Sequence, residues 1–198
     1  MKRLLLVLVF LSAIVISPTR SHAGDWKLAA GAGWAWSEET EGLSDQSAAL
    51  PSLSLIRDLG GVLRIGAGVG YLPPARLYTI SVTPAVYPPY TVLPSPREVE
   101  FAPVYLVLRL GPPAADRMVP FVQGGPMVLL SHWSHVSGSS NRALAGYHVG
   151  AGFAGPLAGR LGFEASMSRL ESEETIVDGF HYDGLHRWVM GGALTWRL

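Results

Sequence analysis

From Trp26 onward, bulky apolar residues alternate with Gly, Ala or Ser through one short segment after another. The first reads WKLAAGAGWAW. Trp26, Leu28, Ala30, Ala32, Trp34 and Trp36 share one face, and Lys27, Ala29, Gly31, Gly33 and Ala35 share the other. A period of two is the mark of a β-strand. In a soluble antiparallel sheet the second face would be polar and solvated. Here it is mostly tiny. This pattern suits a closed sheet that turns its bulky face outward and lines a narrow interior with its small face.

Eight such segments are predicted: 26–36, 50–57, 62–71, 99–110, 119–132, 143–154, 160–170 and 186–198. In the third, Leu63, Ile65, Ala67, Val69 and Tyr71 point out while Arg64, Gly66, Gly68 and Gly70 point in. The sixth and seventh repeat the arrangement. The first, third, fifth and seventh connections are long, and the second, fourth and sixth are short. That rhythm fits a membrane meander with short periplasmic turns and longer extracellular loops. Most segments approach the roughly 9–11 residues that a tilted spanning strand needs.

The N-terminus carries an export pattern. Met1-Lys2-Arg3 is basic, Leu4 to Ile16 is apolar except for Ser12, and Ser21-His22-Ala23 offers a small-residue cleavage site. Residues 1–23 are therefore expected to be a signal peptide and residues 24–198 the mature barrel. The apolar run is shorter than the roughly 20 residues of a spanning helix. Removing Lys2, Arg3 and Arg20 leaves 12 basic against 15 acidic residues, so nothing favours nucleic acid. Charged residues are 15% of the chain, below the ~25% usual in soluble domains. Cysteine is absent, which excludes disulfides, thiol catalysis and Cys-type zinc sites.

In hydrocarbon every backbone amide must be paired within the protein, and only helices and closed barrels achieve this. No long apolar segment follows Ala23, so an all-β, eight-stranded antiparallel up-and-down barrel is expected. Charge placement agrees with that facing. Arg64, Arg160, Glu164, Arg187 and Arg197 fall on the small-residue face, and Arg57, Glu100 and Arg169 fall near strand ends. Arg109 is ambiguous, because its strand is bulky on both faces. Opposite charges in a narrow lumen should pair, so Glu164 with Arg64, Arg109 or Arg160 is the expected interior network. Trp26 and Trp196 should mark one aromatic girdle, and Trp34, Trp36 and Trp188 the other.

On these features (the signal, the glycine-alternating strands, and Met190, Leu194, Trp196 and Leu198 at the C-terminus) the mature chain resembles the small eight-stranded outer-membrane barrels of the OmpA/OmpX-like group. The resemblance implies a Gram-negative outer-membrane location and a polar plug in the lumen. It also implies contact with outer-membrane lipid and lipopolysaccharide, and handling by the barrel-assembly machinery. Families of this type end in an aromatic residue, whereas this chain ends in Leu198.

Pro103 and Pro126 lie inside strands and remove ladder bonds, so a bulge is expected at Gly124-Gly125-Pro126. The segment from Leu72 to Glu98 reads either as a projecting hairpin or as two further strands of a ten-stranded barrel. Its Tyr78, Tyr87 and Tyr90, set among prolines, are the candidate loop-contact residues.

Other motifs read as structural. Gly150 to Gly155 matches G-x-G-x-x-G but lacks the following helix that dinucleotide binding needs. His132, His135, His181 and His186 gather toward the extracellular end without ligand spacing, so no metal and no cofactor is expected. Ser131-His132-Trp133-Ser134-His135 is an accidental cluster rather than a triad.

The expected function is that of a porin-like envelope barrel without catalytic activity, acting in envelope structure or surface interaction through its extracellular loops. The alternative is a lipid A-modifying barrel enzyme of deacylase or acyltransferase type. A soluble lipocalin-type carrier would require the opposite facing.

Overall fold

In the computed structural model, the described residues are 26–37, 47–77, 97–112, 117–135, 138–177, 180–182 and 184–198. Strands β1 (Trp26–Ser37), β2 (Ala48–Asp58), β3 (Leu63–Gly70), β4 (Leu72–Leu77), β5 (Arg97–Leu110) and β6 (Val119–His135) come first in the chain. They are followed by β7 (Gly138–Ala158), β8 (Leu161–Ser172), β9 (Thr175–Val177), β10 (Phe180–Tyr182) and β11 (His186–Arg197). The main sheet runs β3-β2-β1-β11-β8-β7-β6-β5-β4, and β3 also pairs with β5. β3 and β4 are therefore two parts of one stave. Every pairing is antiparallel and the sheet closes on itself as an eight-stave barrel. The first and last staves close the seam, from Lys27 opposite Arg197 to Ser37 opposite Arg187.

Closure follows from the residue pattern. Leu106, Leu108, Val122, Val149, Phe153, Met190 and Leu194 are all exposed on the outer surface. Their in-between neighbours Val107, Arg109, Phe121, His148 and Thr195 are buried inside. A sheet with this facing has no edge to protect and no apolar face to hide from lipid. The β2–β3 connection turns at Gly60 and Gly61, with φ of 97° and 60°, values that glycine adopts without steric cost.

Four details differ from the sequence reading. The third stave does not end at Tyr71 but continues as β4, which rules out ten staves. The ladder between β4 and β5 shifts register between Leu72 and Ala75, where Pro73 and Pro74 stand. The β6–β7 ladder runs without a break from Val119 opposite Ala154 to His135 opposite Gly138, so the expected fifth loop is largely strand. The seventh connection carries its own small hairpin, β9 with β10.

The fourth difference concerns Pro126. No register shift occurs there. The β5–β6 ladder loses its pairs between Tyr105/Met127 and Leu108/Gly124 and resumes in the same register. The Leu106 carbonyl is aimed at β6, where Pro126 has no N–H to offer. It is met instead by His148 Nε2 at 2.7 Å, reaching across from β7. Gly125 is required for this approach, because a Cβ there would lie 2.2 Å from Leu106 O. A side chain thus replaces the missing ladder donor, and the barrel needs no bulge.

Candidate functional site in the barrel interior

The interior divides into two layers. In the half nearer Trp26 and Arg197, Arg109 points inward from β5, which resolves its ambiguous position in the sequence. Its Nη1 donates to Glu164 Oε1 at 2.6 Å, and its Nε and Nη2 donate to Gln123 Oε1 at 3.2 and 2.9 Å. Gln123 Nε2 continues to Ser168 Oγ at 3.5 Å. The guanidinium lies 4.0 Å from the centroid of the Phe121 ring, which adds a cation–π contact. This network links β5, β6 and β8 across the lumen.

Arg64 and Arg160 lie apart from it. Arg64 Nε donates to Asp58 Oδ1 at 2.5 Å, and its Nη2 donates to the Pro112 carbonyl at 2.9 Å. Lys27 Nζ takes the other Asp58 oxygen at 3.0 Å. Arg160 is exposed at the mouth of the barrel beside Arg197. Of the four residues expected to form one network, the structure brings together Arg109 and Glu164. Asp58 and Gln123 are partners the sequence reading did not select. Asp58 falls just past the predicted 50–57 segment, and Gln123 carries no formal charge to mark it.

The opposite half holds an apolar cluster, beside which Ser131, Ser172 and Arg187 are also buried. Leu50, Val99, Phe101, Leu129, Trp133 and Leu185 belong to one buried cluster. Trp133 meets Phe101 edge-on, with ring centroids 6.4 Å apart and planes at 85°. Its indole N–H donates to Ser131 Oγ at 2.9 Å. Leu185, from the connection just before β11, is 1% exposed. The sequence reading placed Trp133 and Leu185 in loops. Nothing in a single sequence shows that β6 extends far enough to turn Trp133 inward.

The tryptophans on the outer surface lie at two levels. Trp36 is opposite Trp188, and Trp34 is opposite Met190. Trp196 is opposite Leu28, next to Trp26 at the other end of the same seam. Arg57 sits 5.5 Å from the Trp26 ring centroid, and Arg169 sits 5.5 Å from that of Trp188. Both arginines shield their charge on an aromatic face and carry it near a strand end. Arg169 also donates to Glu171, whose other oxygen meets His186 Nδ1. Tyr78, Tyr87 and Tyr90 lie outside the described residues.

The remaining motifs resolve into structure. Gly150 and Gly152 sit within β7, opposite Ser168 and Ser166. Ser131 is buried, while neighbouring His132 is exposed on the opposite face, bonded through Nδ1 to Asn141 Oδ1 at 2.7 Å. The side chains of His135 and His181 lie outside the described set. Among the described residues, no group of three or more His, Cys, Asp or Glu is placed to hold a metal ion. No helix among them is long and apolar enough to cross a membrane.

A closed eight-stave barrel with an apolar exterior and a filled lumen defines the small outer-membrane barrel class, and solved structures share this fold. Neisserial surface protein A aligns with a TM-score of 0.60 at 8% identity, over 87% of this chain and 97% of that one. OprG from Pseudomonas aeruginosa aligns at 0.57 and 11% identity, over 89% and 97%. Outer membrane protein W of E. coli aligns at 0.55 and 14% identity, over 90% and 100%. These likenesses establish the fold. No protein-family model matches the chain, and no curated relative does.

Proposed function

We propose that this chain is a non-catalytic barrel of the outer membrane that acts in envelope structure or surface interaction through its extracellular end. The observation that carries this reading is the filled lumen. An apolar plug occupies the outer half, and the Arg109–Glu164–Gln123 network crosses the inner half. A wide solute path is incompatible with both layers. The outer end is instead built up. β6 and β7 run for 17 and 21 residues, well past the roughly 9–11 needed to span, so a rigid ladder continues beyond the apolar belt. That extension supports a contact surface, as does the third connection with Tyr78, Tyr87 and Tyr90.

In this reading residues 1–23 are removed on export, and the barrel-assembly machinery inserts residues 24–198 among lipid and lipopolysaccharide. Mass spectrometry of the exported protein should find Gly24 at the N-terminus. Deleting residues 79–95 should leave a heat-modifiable barrel while abolishing attachment of whole cells to the surface or serum component they otherwise bind. A deletion variant that attaches normally would refute the contact role. Lipid A from cells with and without the protein should carry identical acyl chains. A difference would establish the lipid A-modifying alternative.

A further inference from the structure

The periplasmic mouth carries a row of cations that the lumen network does not use. Lys27 on β1 stands directly opposite Arg197 on β11. The Arg197 N–H donates to the Arg160 carbonyl at 3.0 Å, which sets Arg160 beside it just before β8. Directly opposed residues have Cβ atoms roughly 4.5–5.5 Å apart, and like charges so placed destabilise a sheet. Lys27 is balanced by Asp58 at 3.0 Å. Arg160 and Arg197 form no ion pair and no side-chain hydrogen bond with any described residue. Among the described residues, these two arginines, side by side in the ladder, therefore have no counter-charge.

These residues border a recess of about 70 Å³, several times the ~10–15 Å³ that one water requires. Its polar lining is Lys27, Arg160, Arg197, Thr195 and Glu164. Thr195 is only 8% exposed, and its hydroxyl has no partner among the described residues. Gly162 keeps that hydroxyl clear, because a Cβ there would lie 2.6 Å from Thr195 Oγ. Glu164 is the one acid in the lining, and its Oε1 is already engaged by Arg109 at 2.6 Å. The recess thus offers two unpaired arginine forks and a buried hydroxyl, with its only carboxylate neutralised from the other side.

The geometry points to an oxoanion site at the periplasmic mouth, in which Arg160 and Arg197 clamp a phosphate group and the Thr195 hydroxyl donates to it. Guanidinium forks match phosphate oxygens two at a time, which a lysine pair would not do. The phosphate can arrive on a soluble periplasmic anion or on the headgroup of a phospholipid in the inner leaflet. Both present the same oxygens.

Titration calorimetry of the refolded barrel in zwitterionic micelles, with sodium pyrophosphate as the probe, tests this. Wild type should bind saturably. The double variant Arg160→Gln/Arg197→Gln should bind at least about tenfold more weakly, and Thr195→Val, which keeps the shape, roughly three- to tenfold more weakly. Arg117→Gln, an exposed cation in the neighbouring periplasmic turn, should bind as wild type does. Each variant is first checked for the heat-dependent gel shift of a folded barrel. Repeating the titration in phosphatidylcholine nanodiscs with and without phosphatidylglycerol separates the two sources. Weaker pyrophosphate binding in the presence of phosphatidylglycerol assigns the headgroup, and unchanged binding assigns the soluble anion. No saturable binding by wild type would overturn the site, and so would equal weakening by Arg117→Gln or wild-type affinity in Thr195→Val.

Discussion

The contact between His148 and the Leu106 carbonyl makes a quantitative prediction about how this barrel tolerates a proline in a central stave. Pro126 leaves the Leu106 carbonyl without a ladder donor, and His148 Nε2 supplies one at 2.7 Å. Replacing His148 with Phe keeps an aromatic ring against Tyr105, whose ring centroid is 5.1 Å away, but removes the donor. The carbonyl is then buried and unsatisfied, which costs about 1–3 kcal/mol. Pro126→Ala alone should be close to neutral, since it adds an N–H to a carbonyl that is already bonded. In the double variant His148→Phe/Pro126→Ala, the new backbone N–H at position 126 can reach Leu106 O in the unshifted β5–β6 register. The double variant should therefore recover most of the loss, giving a coupling of about 1 kcal/mol or more, where distant sites would add within ~0.5 kcal/mol. Urea unfolding of barrels refolded into lipid vesicles, followed by tryptophan fluorescence and by the gel shift, measures all four corners. Additive effects, or a His148→Phe variant as stable as wild type, would refute the substitution of a side chain for a ladder bond.

Three further outcomes follow from the interior and the outer surface. Glu164→Ala should destabilise the barrel by up to about 3–5 kcal/mol in the same urea assay, because Arg109 is left buried without its counter-charge. Gly68→Val should cost about 1–3 kcal/mol and be partly rescued by Tyr105→Ala, since a Cβ at Gly68 would lie 2.5 Å from the Tyr105 ring. Val149→Arg, which places a charge on the outer belt, should cost about 2–4 kcal/mol in vesicles, whereas Leu198→Arg at the rim should cost less than about 1 kcal/mol.

The staves were legible in the sequence because inside and outside alternate residue by residue, so glycine and charge mark one face and large apolar groups the other. Ile65, Leu106, Val149 and Leu194 lie where that alternation puts them. The pattern fails where the barrel leaves the membrane. Beyond the belt the outer face becomes polar, so residues 133–142 read as loop although β6 and β7 stay paired as far as His135 and Gly138. The same failure hid Trp133 and the apolar outer plug. The interior was legible only as a set of charges. Which arginine meets Glu164 depends on stagger between non-adjacent staves, and the alternation carries no information about stagger. Arg64 therefore finds Asp58 in its own β2–β3 hairpin, and Arg109 reaches across to β8. The bond from His148 to Leu106 was out of reach for the same reason, although Pro126 itself announced that some compensation was needed.

Spin labels placed singly at Leu108, Val149 and Leu194, and at Ser166 and Ser168, would test the facing most directly in vesicles. The first three should relax strongly with oxygen and weakly with a water-soluble nickel chelate, as groups in hydrocarbon do, while the two serine positions should be shielded from the lipid phase. Nickel contact at Leu108, Val149 and Leu194 combined with strong oxygen contact at the serines would mean that the sheet is turned the other way and the chain is not a membrane barrel.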